Sequence, residues 1–211
     1  MKNPRASLLR DGVGQLGLKL EPAQFDQLLQ YLDYMHEWNQ RINLTAIKDP
    51  REQVIKHLLD SLAVAPYLQS SPLLDVGTGA GLPGVPLAIV FAQQKFVLLD
   101  SNIKRISFIR FVSTRLKQAN LKLESSRVEH FLPSQPYSQI ISRAFASLQQ
   151  MVDNAEHLLA PDGRMLAMKG RYPEQEIASL PPGWALHESH RLQVPFLDDE
   201  RHLLVLKRTT A

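Results

Sequence analysis

Apolar residues recur at intervals of three and four along the first part of the chain. Between Pro22 and Ile42 this spacing predicts an amphipathic helix, and Pro22 suits its first turn. The apolar positions of this helix are Phe25, Leu28, Leu29, Leu32, Met35, Trp38 and Ile42. A second helical pattern runs from about Arg51 to Tyr67. Residues 1–70 are therefore expected to form a helical extension, packed on a core formed by residues 71–211.

From residue 73 onward the pattern changes to short apolar runs separated by helical segments. This alternation predicts strand–helix–strand units and a mostly parallel sheet covered on both faces. The runs predicted as strands are Leu73–Val76, Phe96–Leu99, Leu121–Glu124, Gln139–Ser142 and Arg164–Met168. The helices predicted between them are Gly84–Gln93, Ile103–Ala119 and Leu148–Leu159. Ala185–Leu192 and His202–Lys207 are expected to close the sheet as an antiparallel pair, so that residues 71–211 form one compact unit with seven strands.

A glycine-rich loop follows the first predicted strand. The segment reads Leu73-Leu74-Asp75-Val76-Gly77-Thr78-Gly79-Ala80-Gly81-Leu82-Pro83-Gly84. Glycines permit positive φ and leave no Cβ, so the backbone can turn tightly and lie against a ligand. The spacing Gly79-x-Gly81-x-x-Gly84 also satisfies the dinucleotide-binding pattern, although that match alone is weak. The loop therefore indicates a nucleotide cofactor of one of two classes.

Two prolines argue against a bound pyrophosphate. A pyrophosphate needs free backbone N–H groups at the start of the following helix, and Pro83 and Pro86 have none to offer. S-adenosylmethionine carries no phosphate and needs close backbone approach and an acidic partner, which the glycines and Asp75 can supply. Five α/β units ending in two strands also suit a methyltransferase sheet better than a dehydrogenase. The pattern favours a methyltransferase over a dinucleotide enzyme.

Composition bounds the remaining possibilities. The chain has 211 residues, of which 44% are hydrophobic and 21% charged, and it contains no cysteine. Disulfides and thiolate metal sites are thereby excluded, and no apolar stretch is long enough to span a bilayer. The cytoplasm is the expected location. The net charge is only +3, and the basic residues near positions 48–56, 104–117 and 164–171 form either one surface around a site or, as counting favours, separate solvated faces.

Side chains directly after the predicted strands are the candidate ligands, because ligands of such sheets bind beyond the carboxyl ends of the strands. Asp100 follows the second strand, where a carboxylate can accept the hydroxyls of a ribose or cap the next helix. Val128 and Glu129 follow the third strand, where an adenine would lie. Arg143 and Lys169 follow the fourth and fifth strands and are candidates for binding phosphate or guanine O6.

Histidines give weaker signals. His57 and Asp60 are three residues apart and share a helix face, which suggests either general-base chemistry or a surface pair. His187 and His190 have the same spacing in a predicted strand, without a third ligand nearby. No metal site is predicted.

Five segments form a combination that is more specific than the glycine loop alone. They are Asn43-Leu44-Thr45, His57-Leu58-Leu59-Asp60-Ser61, Asp75 through Gly84, Ile141-Ser142-Arg143-Ala144 and Leu166-Ala167-Met168-Lys169-Gly170. From about residue 20 to the carboxyl end, the chain resembles the ribosomal RNA small-subunit methyltransferase G family, also called glucose-inhibited division protein B. Many members have Ser and Phe in place of Thr78 and Leu82, which are mild changes.

The resemblance implies a class I, Rossmann-like methyltransferase fold and an enzyme dependent on S-adenosylmethionine, without a metal. It implies methylation of N7 of one guanine of bacterial 16S rRNA, guanine-527 in the usual rRNA numbering. The expected substrate is 16S rRNA or the small ribosomal subunit, and a monomer is expected. The cofactor-binding residues expected from loop, strand ends and resemblance are Asp75, Gly77, Gly79, Gly81, Leu82, Asp100, Val128, Glu129 and Arg143. The catalytic candidates are Arg143, Lys169, His57, Asp60 and Asn43.

Two alternatives stay open at the level of sequence. One is a methyltransferase of the same fold that acts on a small molecule or a protein. The other is a cofactor-sensing RNA-binding module without turnover. A guanine N7 acceptor already has an in-plane lone pair, so no general base is required, and alignment of the reacting atoms with exclusion of water would determine the rate.

Overall fold

A seven-stranded sheet forms the centre of the molecule in the computed structural model, which describes residues 4–143 and 145–209. The strand order is β3-β2-β1-β4-β5-β7-β6. The strands are β1 (Leu73–Val76), β2 (Phe96–Asp100), β3 (Leu121–Ser125), β4 (Tyr137–Ser142), β5 (Leu159–Lys169), β6 (Trp184–Arg191) and β7 (His202–Arg208). Strands β1 to β5 pair in parallel, and β7 pairs antiparallel with β5 and β6. The predicted sheet and its antiparallel closing hairpin are confirmed.

Helices cover both faces of this sheet. They are α1 (Pro4–Gln15), α2 (Pro22–Asn39), α3 (Pro50–Gln53), α4 (Asp60–Leu62), α5 (Gly84–Val90), α6 (Ile103–Arg115), α7 (Leu148–Ala155) and α8 (Glu174–Ala178). Leu73 belongs to the apolar cluster on one face and Leu74 to the cluster on the other. Every residue of β1 and β2 is buried, which explains why these strands are continuous apolar runs rather than alternating ones.

The amino-terminal extension differs from its prediction in two places. Helix α1 was not predicted, because its apolar residues are few and two glycines interrupt them; Gly12 packs closely on the Leu59 side chain, where a Cβ would clash. The predicted helix Arg51–Tyr67 contains a π-helical stretch, Val54–Leu59, between α3 and α4. π-Helical stretches are rare in proteins, and those that occur are often found at functional sites. This one carries His57.

Side chains of α2 connect the extension to the sheet domain. The Gln24 amide donates to the carbonyls of Ile89 and Val90 at 2.8 and 3.0 Å, at the end of α5. The buried Tyr31 hydroxyl donates to the Ala80 carbonyl in the glycine loop at 2.8 Å. The extension therefore restrains the end of α5 and the loop that follows β1.

The structure has two further general features. Within residues 4–143 and 145–209, no helix has both the length and the apolar character to span a membrane. The same part of the chain holds no cluster of three side chains suited to binding a metal ion.

Candidate active site

The candidate site lies at the carboxyl ends of β1 and β4, the two central strands. Strand β1 continues through the glycine loop and α5 to β2 on one side, while β4 is its neighbour on the other. Chain connections leave this point in opposite directions, which opens a crevice for ligands. The Ser142 hydroxyl joins the two strand ends by donating to the Val76 carbonyl at 2.7 Å.

The glycine loop is held from below by the Asp75 carboxylate. Asp75 is completely buried, and its Oδ2 accepts from the Thr78 hydroxyl at 2.7 Å and from the Gly84 N–H at 2.9 Å. Burial raises the pKa of Asp75 to about 6, although these hydrogen bonds and the Arg143 charge oppose that rise. Oδ1 is buried and has no hydrogen-bond partner among the described residues. The carboxylate thus fixes the shape of the loop.

This arrangement supports the argument against a phosphate ligand. The Gly84 N–H at the start of α5 already donates to a carboxylate, and Pro83 and Pro86 have no N–H to add. A phosphate would meet the negative charge of Asp75 instead of free donors. The loop is built for a ligand that approaches the backbone without a phosphate group.

Replacing Gly84 with alanine is expected to destabilise the protein by roughly 1–3 kcal/mol. The added Cβ would lie 2.7 Å from Asp75 Oδ2 and 2.9 Å from Leu98 Cδ1, both of which are buried. Urea unfolding would measure the change. Gly14→Ala is the matched control, since nothing lies within 4 Å of its added Cβ, and it should leave stability unchanged or slightly raised. Equal stability of the two variants would contradict this packing.

A cleft of about 310 Å³, the Gly77 cleft, opens beside the loop. Its walls include Gly77, Asp100, Arg105, Val128, Glu129 and Phe145. Gly77 has a φ of 68°, a conformation that other residues adopt at a cost. Four residues expected at a cofactor, which are Gly77, Asp100, Val128 and Glu129, therefore lie together.

Asp100 anchors one wall of the Gly77 cleft. Its Oδ2 accepts from the Gly79 N–H at 2.9 Å, and its Oδ1 accepts from the Asn102 N–H at 2.8 Å. The helix cap itself is Asn102, whose side chain accepts from the first N–H groups of α6. Because each carboxylate oxygen has two lone pairs, Asp100 retains the capacity to accept the hydroxyls of a ribose.

A second cleft of about 470 Å³, the Arg143 cleft, lies on the other side of Phe145, which lines both. Its walls include His57, Asp60, Arg143, Lys169, Arg201 and His202. Side chains from the extension, from the ends of β4 and β5 and from the start of β7 meet here. Basic groups outnumber acidic ones in its lining, so the cleft favours an electron-rich or anionic ligand.

Two arginines share the Asp60 carboxylate. Arg143 Nη1 donates to Asp60 Oδ2 at 3.1 Å, and Arg201 Nε donates to Asp60 Oδ1 at 3.1 Å. The Asp60 side chain is only 5% exposed, whereas that of Arg143 is 31% exposed. Both oxygens of this buried carboxylate are thus engaged by a guanidinium group. Asp60 therefore holds the Arg143 guanidinium at the wall of the cleft.

His57 is buried beside this ion-pair cluster. Its Nε2 lies 2.9 Å from the Thr45 hydroxyl oxygen, and Nδ1 has no hydrogen-bond partner among the described residues. Burial, with a smaller contribution from the Arg143 charge, lowers the pKa of His57 to about 4. The imidazole is therefore neutral at physiological pH.

Residue-resolved NMR should find the His57 imidazole neutral down to about pH 5, with a midpoint near 4, well below the ordinary value of about 6.5. In the unfolded chain the ring would take up its proton near 6.5, so His57 disfavours folding increasingly as pH falls from 6.5 to 4. Asp75 acts in the opposite sense, because its raised pKa gives a contribution that is lost as pH rises through about 6. A His57 midpoint at 6.5 would contradict the buried, uncharged ring.

Lys169 is already occupied by protein groups. Its Nζ lies 2.9 Å from Glu176 Oε2 and 3.4 and 3.3 Å from the carbonyls of Phe145 and Ala146. Glu176 Oε2 also accepts from the Leu148 N–H at 2.7 Å. Lys169 thus holds the segment that carries Phe145, which separates the two clefts.

The other sequence candidates lie away from the cleft walls. Asn43 is exposed, and neither the Gly77 cleft nor the Arg143 cleft includes it in its lining. Leu82 is buried beneath the loop. His187 and His190 lie on β6 around Glu188. Ala144 of the Ser-Arg-Ala segment lies outside the described residues.

Sequence reasoning missed Arg201, Phe145 and Glu176. Arg201 is 141 residues from Asp60 in the chain, and no local spacing joins them. Phe145 directly follows the Ser-Arg-Ala segment, so proximity to that strand end was an available signal. Of the basic segments counted in the sequence, the structure puts Lys56 and Lys169 at the Arg143 cleft but uses Arg164 elsewhere, as a donor to the Tyr67 carbonyl.

The fold and the site are those of a class I, S-adenosylmethionine-dependent methyltransferase. The features that define this class here are the strand order, a glycine loop without free donors for a phosphate, and two adjoining clefts. Solved structures of the same class have the same fold. The mitomycin 7-O-methyltransferase MmcR matches with a TM-score of 0.63 and 14% identity, over 90% of this chain and 69% of that chain. TrmN from Thermus thermophilus matches with a TM-score of 0.53 and 21% identity, over 71% of this chain and 47% of that chain.

The family model described as rRNA small subunit methyltransferase G matches residues 24–204. An Escherichia coli protein named ribosomal RNA small subunit methyltransferase G is 48% identical over 207 residues, 98% of each chain. The protein of that name from Shigella boydii serotype 18 is 47% identical over the same coverage. The chain belongs to the rRNA small subunit methyltransferase G family and is an rRNA methyltransferase. This finding does not favour either alternative left open by the sequence, the small-molecule or protein methyltransferase and the sensor without turnover.

Proposed function

We propose that the protein transfers a methyl group from S-adenosylmethionine to N7 of a single guanine of 16S rRNA. The observation that carries the proposal is the state of the Arg143 cleft. Its one carboxylate, Asp60, is neutralised by Arg143 and Arg201, and His57 is buried. The cleft thus supplies hydrogen-bond donors from its guanidinium groups, and N7 is an acceptor that loses no proton.

The Gly77 cleft is the proposed cofactor site. S-adenosylmethionine supplies an electrophilic methyl group when bound. Asp100 would accept the ribose hydroxyls, Val128 and Glu129 would flank the adenine, and the backbone at Gly77 would face the amino-acid portion. The lining of this cleft fits the cofactor. It combines the Asp100 carboxylate, the apolar Val128 side chain and the backbone of Gly77, and the adjoining loop has no phosphate site.

The Arg143 cleft is the proposed guanine site. Arg143 has only its Nη1 engaged by described residues, so its remaining N–H groups would donate to guanine O6 and leave N7 free. Asp60 would keep that guanidinium in place. Phe145 and Met168, which also line the cleft, would exclude water. Rate then comes from alignment of the acceptor with the methyl group.

We infer that the chain acts as one compact unit and as a monomer. Hydrogen bonds from Gln24 and Tyr31 to the sheet domain support an extension, residues 1–70, that packs on a methyltransferase domain, residues 71–211. The small ribosomal subunit, or 16S rRNA itself, is the proposed partner. Such a substrate gives a cytoplasmic location.

The proposal is tested by labelled-methyl transfer from S-adenosylmethionine to small ribosomal subunits that lack the modification, followed by strand scission selective for 7-methylguanine. A single scission site in 16S rRNA is expected. Label at another position or atom would contradict the guanine-N7 assignment, and an unlabelled RNA in the presence of measurable cofactor binding would contradict the proposal as a whole.

A further inference from the structure

Helix α6 presents an unusually basic face to solvent. The helix contains Lys104, Arg105, Arg110 and Arg115, and no acidic residue. Six of its residues, which we call the α6 face, are exposed: Ile103, Lys104, Ser107, Arg110, Thr114 and Arg115. In a helix with 3.6 residues per turn these positions lie on one side. The face therefore offers three cations and two hydroxyls without a carboxylate.

The cations of the α6 face are not neutralised by neighbouring elements. Among the described residues, Lys104, Arg110 and Arg115 form no ion pair, and Arg115 instead lies over the Phe111 ring at 5.3 Å. Arg105, which lines the Gly77 cleft, is different, since it lies 3.7 Å from the buried Asp100. The exposed Lys122 is paired with Glu124, and the exposed Lys19 and Lys95 lie singly in separate loops. Unpaired cations on one helix face indicate a polyanionic partner.

A groove of about 620 Å³ runs along this face. Ile106 and Phe111 contribute apolar surface to it, Ser107, Arg110 and Thr114 contribute polar groups, and Ser125 at the end of β3 closes one side. Ile103, in the same groove, is 69% exposed. Apolar surface beside the Arg110 cation suits a nucleic acid, which brings ribose and base surfaces together with phosphates.

The α6 face also adjoins the Gly77 cleft. Asp100, Ser101 and Arg105 line the cleft just before and within the first turn of α6, and Ser126 of the cleft follows Ser125 of the groove. An RNA whose target base enters the Arg143 cleft has flanking backbone that must cross the protein surface nearby. The groove gives that backbone a continuous path away from the cofactor.

We propose that the α6 face binds the phosphate backbone of the rRNA segment that flanks the methylated base. This inference rests on the proposed rRNA substrate and adds the surface that holds it. Each phosphate contact releases counterions, so binding should weaken steeply with salt. The hydroxyls of Ser107 and Thr114 donate to the carbonyls of Ile103 and Arg110, so their oxygens would accept from ribose 2′-hydroxyl groups of the same backbone.

The first test is the salt dependence of RNA binding by a triple variant, Lys104→Gln with Arg110→Gln and Arg115→Gln. The slope of log affinity against log salt is expected to fall by about two to three, near one for each lost phosphate contact. Cofactor affinity should stay unchanged. A triple variant of the same charge, Lys19→Gln with Lys95→Gln and Arg191→Gln, removes exposed cations elsewhere and should keep the slope. Equal slopes for the two variants would overturn the proposal.

A second test locates the contact directly. Because the chain has no cysteine, Ser107→Cys provides a single attachment point for a photo-crosslinker at the centre of the α6 face. Crosslinks to 16S rRNA are expected in small subunits, while Ala92→Cys, at an exposed position after α5, should give few. Crosslinks from Ser107→Cys to a ribosomal protein would overturn the proposal. Absence of methyl transfer by the unmodified protein would instead contradict the proposed function, whereas transfer with equal slopes contradicts the α6 face alone.

Discussion

Methyl transfer to 16S rRNA should fall roughly 100-fold when Arg143 is replaced with alanine, the cost expected when reacting groups lose their alignment. The guanidinium stands at the end of β4, where it joins Asp60 to the Lys56 carbonyl and faces the Arg143 cleft. Its removal leaves Asp60 with only one cation, Arg201. The target guanine would lose the proposed hydrogen-bond donor to its O6 atom and would no longer be held in one orientation in the cleft.

The control for this prediction is Arg191→Ala, which removes an exposed arginine at the end of β6. Among residues 4–143 and 145–209, the ion pair of this arginine is limited to a 3.7 Å contact with Glu200. Initial rates at saturating cofactor and RNA should be near those of the unmodified protein for this control. Arg143→Lys should be intermediate, because a lysine keeps the charge but not the planar set of donors. Near-normal transfer by Arg143→Ala would show that another group holds the base.

The Arg143 site illustrates what the sequence could predict. The positions of Arg143 and Lys169 at one edge of the sheet were predictable, because the carboxyl ends of parallel strands meet there. The apolar runs located the end of β4 at Ser142 and the end of β5 to within one residue. The contacts of Arg143 and Lys169 were not identifiable. Lys169 is tied to Glu176 and to two carbonyls, so its position at a strand end serves the segment around Phe145 rather than an open surface.

Asp60 shows the corresponding limit for pairs. The spacing of His57 and Asp60 predicted a shared helix face, and both residues do line the Arg143 cleft. The general-base interpretation depended on what each side chain met in the fold. Tertiary packing surrounds His57 and brings Arg143 and Arg201 to opposite oxygens of Asp60. Contacts across 83 and 141 residues leave no periodic signal in one sequence.

Asp75 and Asp100 were both assigned to the cofactor from their positions near the glycine loop. Burial separates them: Asp75 lies beneath the loop, whereas Asp100 lies at the wall of the Gly77 cleft. Sequence spacing cannot tell an acidic residue that shapes a loop from one that faces its ligand. Contact of Asp75 with the cofactor stays a prediction.

Replacing Asp100 with alanine should raise the dissociation constant for S-adenosylmethionine roughly 10- to 100-fold. Hydrogen bonds to a charged group contribute about 1.5–3 kcal/mol each, and tenfold in affinity corresponds to about 1.4 kcal/mol. The variant loses the proposed ribose acceptor and also the bonds that hold the N–H groups of Gly79 and Asn102. The glycine loop and the start of α6, which both border the proposed cofactor site, would become less ordered.

Titration calorimetry with the cofactor would measure this change in two matched variants. Asp100→Asn keeps one oxygen in nearly the same place, so it can still accept a hydrogen bond from one N–H group, but it has no charge. Its affinity for the cofactor should lie between those of Asp100→Ala and the unmodified protein. Asp162→Ala removes an equal charge from an exposed position next to Gly163 on β5 and should leave affinity unchanged. If Asp100→Ala bound cofactor as tightly as Asp162→Ala, the proposed contact between Asp100 and the ribose hydroxyls would be wrong, because loss of a charged hydrogen-bond acceptor at the ligand must lower its affinity.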